Sequence, residues 1–123
     1  MRIFITGASS GLGKALATAY AKQGASLGLL GRNTGALEEL AASLPGQHRV
    51  YALDILNRSA LHEAARDFLA QGPVDIVIAC AGISIGTLTE YEEDFVQFQK
   101  VINTNLLAMV ATFEPFIKSM KAR

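Results

Sequence analysis

Three glycines, Gly7, Gly11 and Gly13, separate a short apolar run from a helical pattern at the start of the chain, and few folds accept that arrangement. The run Arg2 to Ile5 is filled with β-branched and aromatic side chains and stops at a glycine turn, the mark of a buried strand. Beyond the glycines, Ala15, Leu16, Ala19 and Tyr20 recur at helical spacing up to Gly24, a residue common just past a helix end. Strand, glycine-rich turn and helix in that order open a dinucleotide-binding βαβ unit. Such a turn works through its backbone. Unpaired N–H groups and the positive end of the helix dipole hold a pyrophosphate without a charged side chain, and a Cβ would keep it away. The contacts expected from this stretch are Gly7, Ser9, Ser10, Gly11, Leu12 and Gly13. The plainer alternative is a glycine-rich loop that merely closes a strand onto a helix.

The spacing is G-x-x-x-G-x-G, which differs from the G-x-G-x-x-G of many dinucleotide-binding domains. With Thr6 in front, T-G-A-S-S-G-L-G resembles the nucleotide motif of the short-chain dehydrogenase/reductase family. The extended, epimerase-like branch spaces its glycines T-G-x-x-G-x-x-G, which would need glycine at Ser10 and does not fit. The resemblance implies a Rossmann-type α/β fold, a doubly wound parallel sheet, here truncated to strands in the order 3-2-1-4.

Composition narrows the function classes. The chain has 123 residues, half of them hydrophobic, with 11 basic and 11 acidic side chains. That length fits one domain over residues 1–123, the single unit that the glycine motif marks as dinucleotide-binding. A balanced charge argues against a nucleic-acid binder, and no apolar run reaches the length of a membrane span. Met1 leads straight into the first strand, so a cytoplasmic protein is expected. The one cysteine, Cys80, suits a reducing compartment and reads as a small buried hydrophobe. His48 and His62 lack neighbours at metal-ligand spacing; no metal site is expected, and both read as surface residues.

The second strand, A-S-L-G-L-L-G, ends at Leu30 or Gly31. In a dinucleotide-binding sheet an acidic residue there takes the ribose hydroxyls and repels a 2′-phosphate, whereas a nearby arginine accommodates it. Gly31 fills the acidic position and Arg32 follows, so NADP(H) is favoured over NAD(H). The Arg32 fork can hold the phosphate and stack on adenine, and Asn33 can add a hydrogen bond. Ser10 stands where many NADP-preferring members of the family carry a second basic residue. Arg32 is otherwise a solvated loop arginine.

A helix from Asn33 or Thr34 to about Leu44 shows an inner face of Leu37, Leu40, Ala41 and Leu44, and Pro45-Gly46 stops it. Strand Arg49 to Leu53 leads to Asp54-Ile55, which looks like the family's adenine-contact pair; Asp at a strand end is also an ordinary turn residue. Asn57 is the expected N-cap of a helix from Arg58 to Ala70, burying Leu61, Ala65, Phe68 and Leu69. Val74 to Ala79 is apolar throughout, as for a parallel strand covered on both faces.

The strand runs into Ala79-Cys80-Ala81-Gly82, which resembles the family's N-N-A-G motif with both asparagines replaced. Ala81 and Gly82 are expected against the cofactor, and Ile83 to Leu88 along one wall of a substrate cleft or in the core. Thr89 and Glu92 form a capping box for a long helix reaching about Met120. Its apolar stripe is Phe95, Phe98, Ile102, Leu106, Met109, Phe113 and Met120, and Pro115 should kink or break it. Asn105, in V-I-N-T-N-L-L-A, matches the family asparagine whose main-chain carbonyl holds a relay water, and is the expected catalytic position. Asn103 is the other candidate by count.

The family moves a hydride between nicotinamide and an alcohol or carbonyl carbon, using a tyrosine acid/base and a lysine four residues later that lowers its pKa. Here Tyr20 is followed at that spacing by Gly24, Tyr51 by Ile55 and Tyr91 by Phe95. The chain thus corresponds to the cofactor-binding half of such an enzyme, expected to be inactive alone. Its fourth strand becomes an edge and its long helix an uncovered apolar face, so at least a homodimer is expected. The competing reading is a non-catalytic nucleotide-binding or interaction module. The expected partners are the nicotinamide dinucleotide and a small carbonyl or alcohol substrate.

Overall fold

The computed structural model describes residues 1–82 and 90–123. Four parallel strands, β1 (Arg2–Thr6), β2 (Ser26–Gly31), β3 (Arg49–Ala52) and β4 (Ile76–Ala79), form one sheet in the order β3-β2-β1-β4. Register pairs Phe4 with Gly28 on one side and with Val77 on the other. Helices α1 (Gly11–Lys22), α2 (Thr34–Ser43) and α3 (Arg58–Ala70) follow the first three strands. The sheet is the truncated, doubly wound one expected.

Because parallel strands need helices on both faces, the core splits in two. One face buries Ile3, Ile5, Leu27 and Leu29 under Ala17, Ala21, Leu37 and Leu40. The other gathers Phe4, Leu61, Ala65, Phe68 and Phe116. There the Phe4 ring lies 4.9 Å from Phe116 and 5.7 Å from Phe68. Gly28 is glycine for that reason: a Cβ would come within 2.9 Å of the Phe4 ring and 3.1 Å of Phe68.

Several local expectations change. The first helix begins at Gly11, so two glycines lie inside its first turn, and its buried stripe is Gly13, Ala17 and Ala21. Ala15 and Ala19 face solvent, because small residues are what allow α1 to approach the sheet. Asn33 and Asn57 are side-chain N-caps, accepting from Ala36 at 3.0 Å and Ala60 at 3.1 Å. In α3, Ala64 rather than Leu69 completes the buried face.

The single long helix is not observed. A 3₁₀ turn at Glu92–Asp94 leads into α4 (Phe95–Ile102), then a π turn at Asn103–Leu107, then α5 (Ala108–Lys121). Thr89 of the capping box, like Ile83 to Leu88, lies outside the described residues. The π turn spends one extra residue, which rotates everything after it by about 100° around the helix. The buried face of α5 is therefore Ala108, Ala111, Thr112 and Phe116, while Phe95, Phe98, Ile102, Leu106 and Met109 of the expected stripe are exposed.

Pro115 does not break the helix; α5 runs through it. Proline has no N–H, so the Ala111 carbonyl one turn earlier loses its donor. His62 on α3 supplies the replacement, its Nε2 lying 3.1 Å from that carbonyl. His48 is engaged too: its Nδ1 accepts the Leu27 N–H at 3.1 Å and its Nε2 meets the Pro45 carbonyl at 2.8 Å. Both were expected as surface residues; each is instead half-buried and tied to backbone groups.

Candidate functional site

The C-terminal ends of all four strands open onto one cleft of about 610 Å³, within the range of small-molecule and cofactor sites. It sits at the point where the chain reverses its direction across the sheet, with β2 on one side of β1 and β4 on the other. The glycine turn is its floor. Gly7 adopts φ +65°, and a Cβ there would fall 2.7 Å from the backbone of Cys80 and Ala81. A Cβ on Gly13 would collide with the Gly7 carbonyl oxygen. Gly11, at φ +57°, instead faces open space, with nothing within 4 Å of where its Cβ would lie. Two glycines thus close the turn on itself and the third keeps it bare.

The turn is held at both flanks. Ala8 N–H donates to the Leu30 carbonyl at 3.1 Å, and the buried Thr6 Oγ1 accepts from Ala81 N–H at 3.3 Å. Ser10 is the extended residue before α1, and its side chain makes no capping bond. Ser9 lies along the rim, its Oγ 3.3 Å from where a Gly31 Cβ would stand.

Every expected cofactor position lines this cleft: Gly7 and residues 9–13 on the floor, Arg32 and Asn33 after β2, Asp54 and Ile55 after β3, Ala81 and Gly82 after β4. Asp54 also serves its own turn, its Oδ1 accepting from Leu56 N–H at 3.0 Å. Arg32 is exposed, and among the described residues its guanidinium forms no ion pair. Asn105 is not a lining residue, but it stands behind Gly82: a Cβ on that glycine would be 3.0 Å from the Asn105 Oδ1. The π turn carries Asn105, and Ala108 N–H donates to the Asn103 carbonyl across it.

Among the lining residues that were not anticipated as cleft positions, Cys80, Lys100 and Thr104 carry thiol, ammonium and hydroxyl groups, while Leu53 and Leu56 are apolar. Cys80 is half-buried rather than buried, and desolvation pushes its thiol pKa up, which keeps it protonated and unreactive. Lys100 and Thr104, one helical turn apart, also line the cleft. Their common spacing is visible in the sequence, but their direction depends on where the strand ends place α4. Tyr51 is no substitute for a catalytic tyrosine. Burial and then the Asp67 carboxylate, 2.6 Å from its hydroxyl, push its phenol pKa up, far from useful basicity. Among the described residues no cluster of three acidic, histidine or cysteine side chains could hold a metal, and no helix is long and apolar enough to cross a membrane.

The sequence pattern of the short chain dehydrogenases matches residues 1–123. The chain belongs to that family. It is 39% identical over 103 residues to a 2-dehydro-3-deoxy-L-rhamnonate dehydrogenase (NAD(+)) of a Sphingomonas species, a match covering 83% of this chain and 41% of the relative. Among solved structures of the family, a 3-ketoacyl-ACP reductase from Sinorhizobium meliloti superposes with a TM-score of 0.89 at 32% identity, over all of this chain and 50% of that one. An alcohol dehydrogenase from Thermococcus sibiricus, complexed with 5-hydroxy-NADP, superposes at 0.88 with 32% identity, over 98% of this chain and 53% of that one. The chain spans about half the length of these relatives. Its fold is that of the short-chain dehydrogenases, a family of oxidoreductases whose fold binds a nicotinamide dinucleotide.

Proposed function

We propose that this chain is the cofactor-binding half of an NADP(H)-preferring oxidoreductase that passes a hydride between nicotinamide and an alcohol or carbonyl carbon. The observation that carries the preference is the pair Gly31 and Arg32: no carboxylate at the end of β2 to repel a 2′-phosphate, and beside it on the cleft a guanidinium that forms no ion pair among the described residues. The donor set fits a dinucleotide, since the bare face of Gly11 leaves the α1 N-terminus approachable. In this reading residues 9–13 hold the pyrophosphate, with Gly7 shaping the turn. Arg32 and Asn33 hold the 2′-phosphate, Asp54 and Ile55 meet adenine, and Ala81 and Gly82 line the way toward the nicotinamide. Asn105 is the residue of this half assigned to proton relay, through its main-chain carbonyl. The bound nicotinamide supplies the hydride-accepting or hydride-donating carbon.

Relatives point both ways on the cofactor, one named for NAD(+) and one complexed with an NADP derivative, so the preference rests on this chain's own residues. Titration with NADPH and NADH, repeated on Arg32→Ala, tests it. NADPH should bind more tightly, and the variant should lose about tenfold of that advantage; equal affinities in the unaltered chain would sink the preference. The second reading is a nucleotide-binding module without redox chemistry; residues 1–123 themselves hold no Tyr-x-x-x-Lys. A nucleotide-loaded chain that gains no activity with any complementary second half would support it.

The same reading makes the chain self-associating and cytoplasmic. β4 forms an edge of the sheet, and Phe95, Val96, Phe98 and Leu107 are each at least half exposed. Sedimentation velocity at micromolar concentration should show a dimer or larger species; a clean monomer would refute the association. A free thiol in a half-buried position suits a reducing compartment.

A further inference from the structure

We infer that Lys100 is a second phosphate-binding cation of the nucleotide site, an inference that rests on the dinucleotide reading above. Lys100 lines the same cleft as the glycine turn, Arg32 and Asp54. It reaches the cleft from α4, the segment that leads through the π turn into α5, and α5 packs on the opposite face of the sheet from α1. The glycine turn offers neutral donors from one side; the ammonium group offers a full charge from the other.

Nothing on its own helix explains a lysine at this position. The residues three and four away are Val96, Gln97, Asn103 and Thr104, none of them acidic, so no intrahelical ion pair is served. Among the described residues its side chain forms no salt bridge and no hydrogen bond. Asp54 is the carboxylate that shares the cleft, and Arg32 already offsets it. An anionic ligand is the chemistry that this surplus charge recognises, and a flexible four-carbon stem lets the ammonium follow a phosphate that the fixed backbone donors hold. Thr104, one turn on and buried, fixes the orientation of that helix face toward the cleft.

The test is a set of binding titrations on the full chain, with NADPH, NADH and adenosine as probes, for the unaltered protein and for Lys100→Gln, Lys100→Arg and Lys118→Gln. Lys118 lies on α5, outside the cleft and exposed, and reports the effect of net charge alone. Lys100→Gln should weaken NADPH binding about five- to tenfold and flatten its salt dependence, with Lys100→Arg restoring it and Lys118→Gln leaving it unchanged. Loss on NADPH and NADH alike assigns the contact to the pyrophosphate, and loss on NADPH alone assigns it to the 2′-phosphate; either supports the inference. Unchanged affinity overturns it, as does an equal loss with adenosine, which has no phosphate. If the unaltered chain binds neither dinucleotide, the functional reading falls and takes this one with it. If it binds them and Lys100→Gln binds as well, only this inference falls.

Discussion

A methyl group at Gly13 would be driven into the carbonyl oxygen of Gly7, whereas one at Gly11 would meet nothing within 4 Å. Gly11→Ala should therefore cost only the left-handed backbone, about 1–2 kcal/mol, and Gly13→Ala more, because the turn must open to admit the carbon. Urea unfolding of the two variants reads the order directly, and a less stable Gly11→Ala would reverse the argument. At this scale the sequence was most informative where backbone chemistry dictates the residue. The glycine floor and most strand-end positions of the cleft were legible, since a parallel βαβ unit must bring strand ends together. Lys100 and Thr104 were not, because a lysine and a threonine on a helix carry no signal until the helix is placed. Cys80 was read as buried because its strand is apolar, yet it follows the last paired residue of β4 and turns to the cleft.

Helices α3 and α5 meet at a repair. Pro115 withholds an N–H from the Ala111 carbonyl, and His62 donates in its place at 3.1 Å, with Glu114 3.4 Å from the same nitrogen. His62→Ala should cost about 1–3 kcal/mol, the penalty of a stranded buried carbonyl. In a Pro115→Ala background residue 115 has its own N–H to give, so the same change should cost clearly less. The coupling between the two substitutions, expected at about 1 kcal/mol, comes from a double-mutant cycle by thermal or urea unfolding. Additive effects would mean that the histidine serves something other than that carbonyl. Element existence and order were readable from periodicity and caps, and Asn57 was placed as the cap it is. The π turn was not, since its register shift depends on seating Phe116 beside Phe4 while Asn105 meets Gly82, contacts between segments far apart in the chain. A local rule applied to Pro115 put the break in the wrong place for the same reason.

Across the whole molecule, one carboxylate joins three distant stretches. Asp75, just before β4, accepts from the Arg2 N–H of β1 at 2.7 Å and from the Arg123 guanidinium at 2.9 Å. Arg123 also donates to the Val74 carbonyl at 2.9 Å. The Arg2 backbone N–H first, and then Arg123, hold the Asp75 carboxyl below the usual carboxylate range. A carboxylate whose folded pKa is depressed binds protons more readily when unfolded. Its contribution is therefore complete above the unfolded value of about 3.9 and is lost as pH falls through that value toward the lower folded one. Asp75→Asn should lower the urea midpoint at pH 7, and the gap between variant and unaltered chain should close as the pH drops below about 4. Because the Asp75 carboxylate is in contact with solvent, added salt should narrow the gap at pH 7 as well. A gap that persists unchanged at acid pH would mean that the asparagine disturbs packing rather than charge, and the tie among Arg2, Asp75 and Arg123 would not be electrostatic.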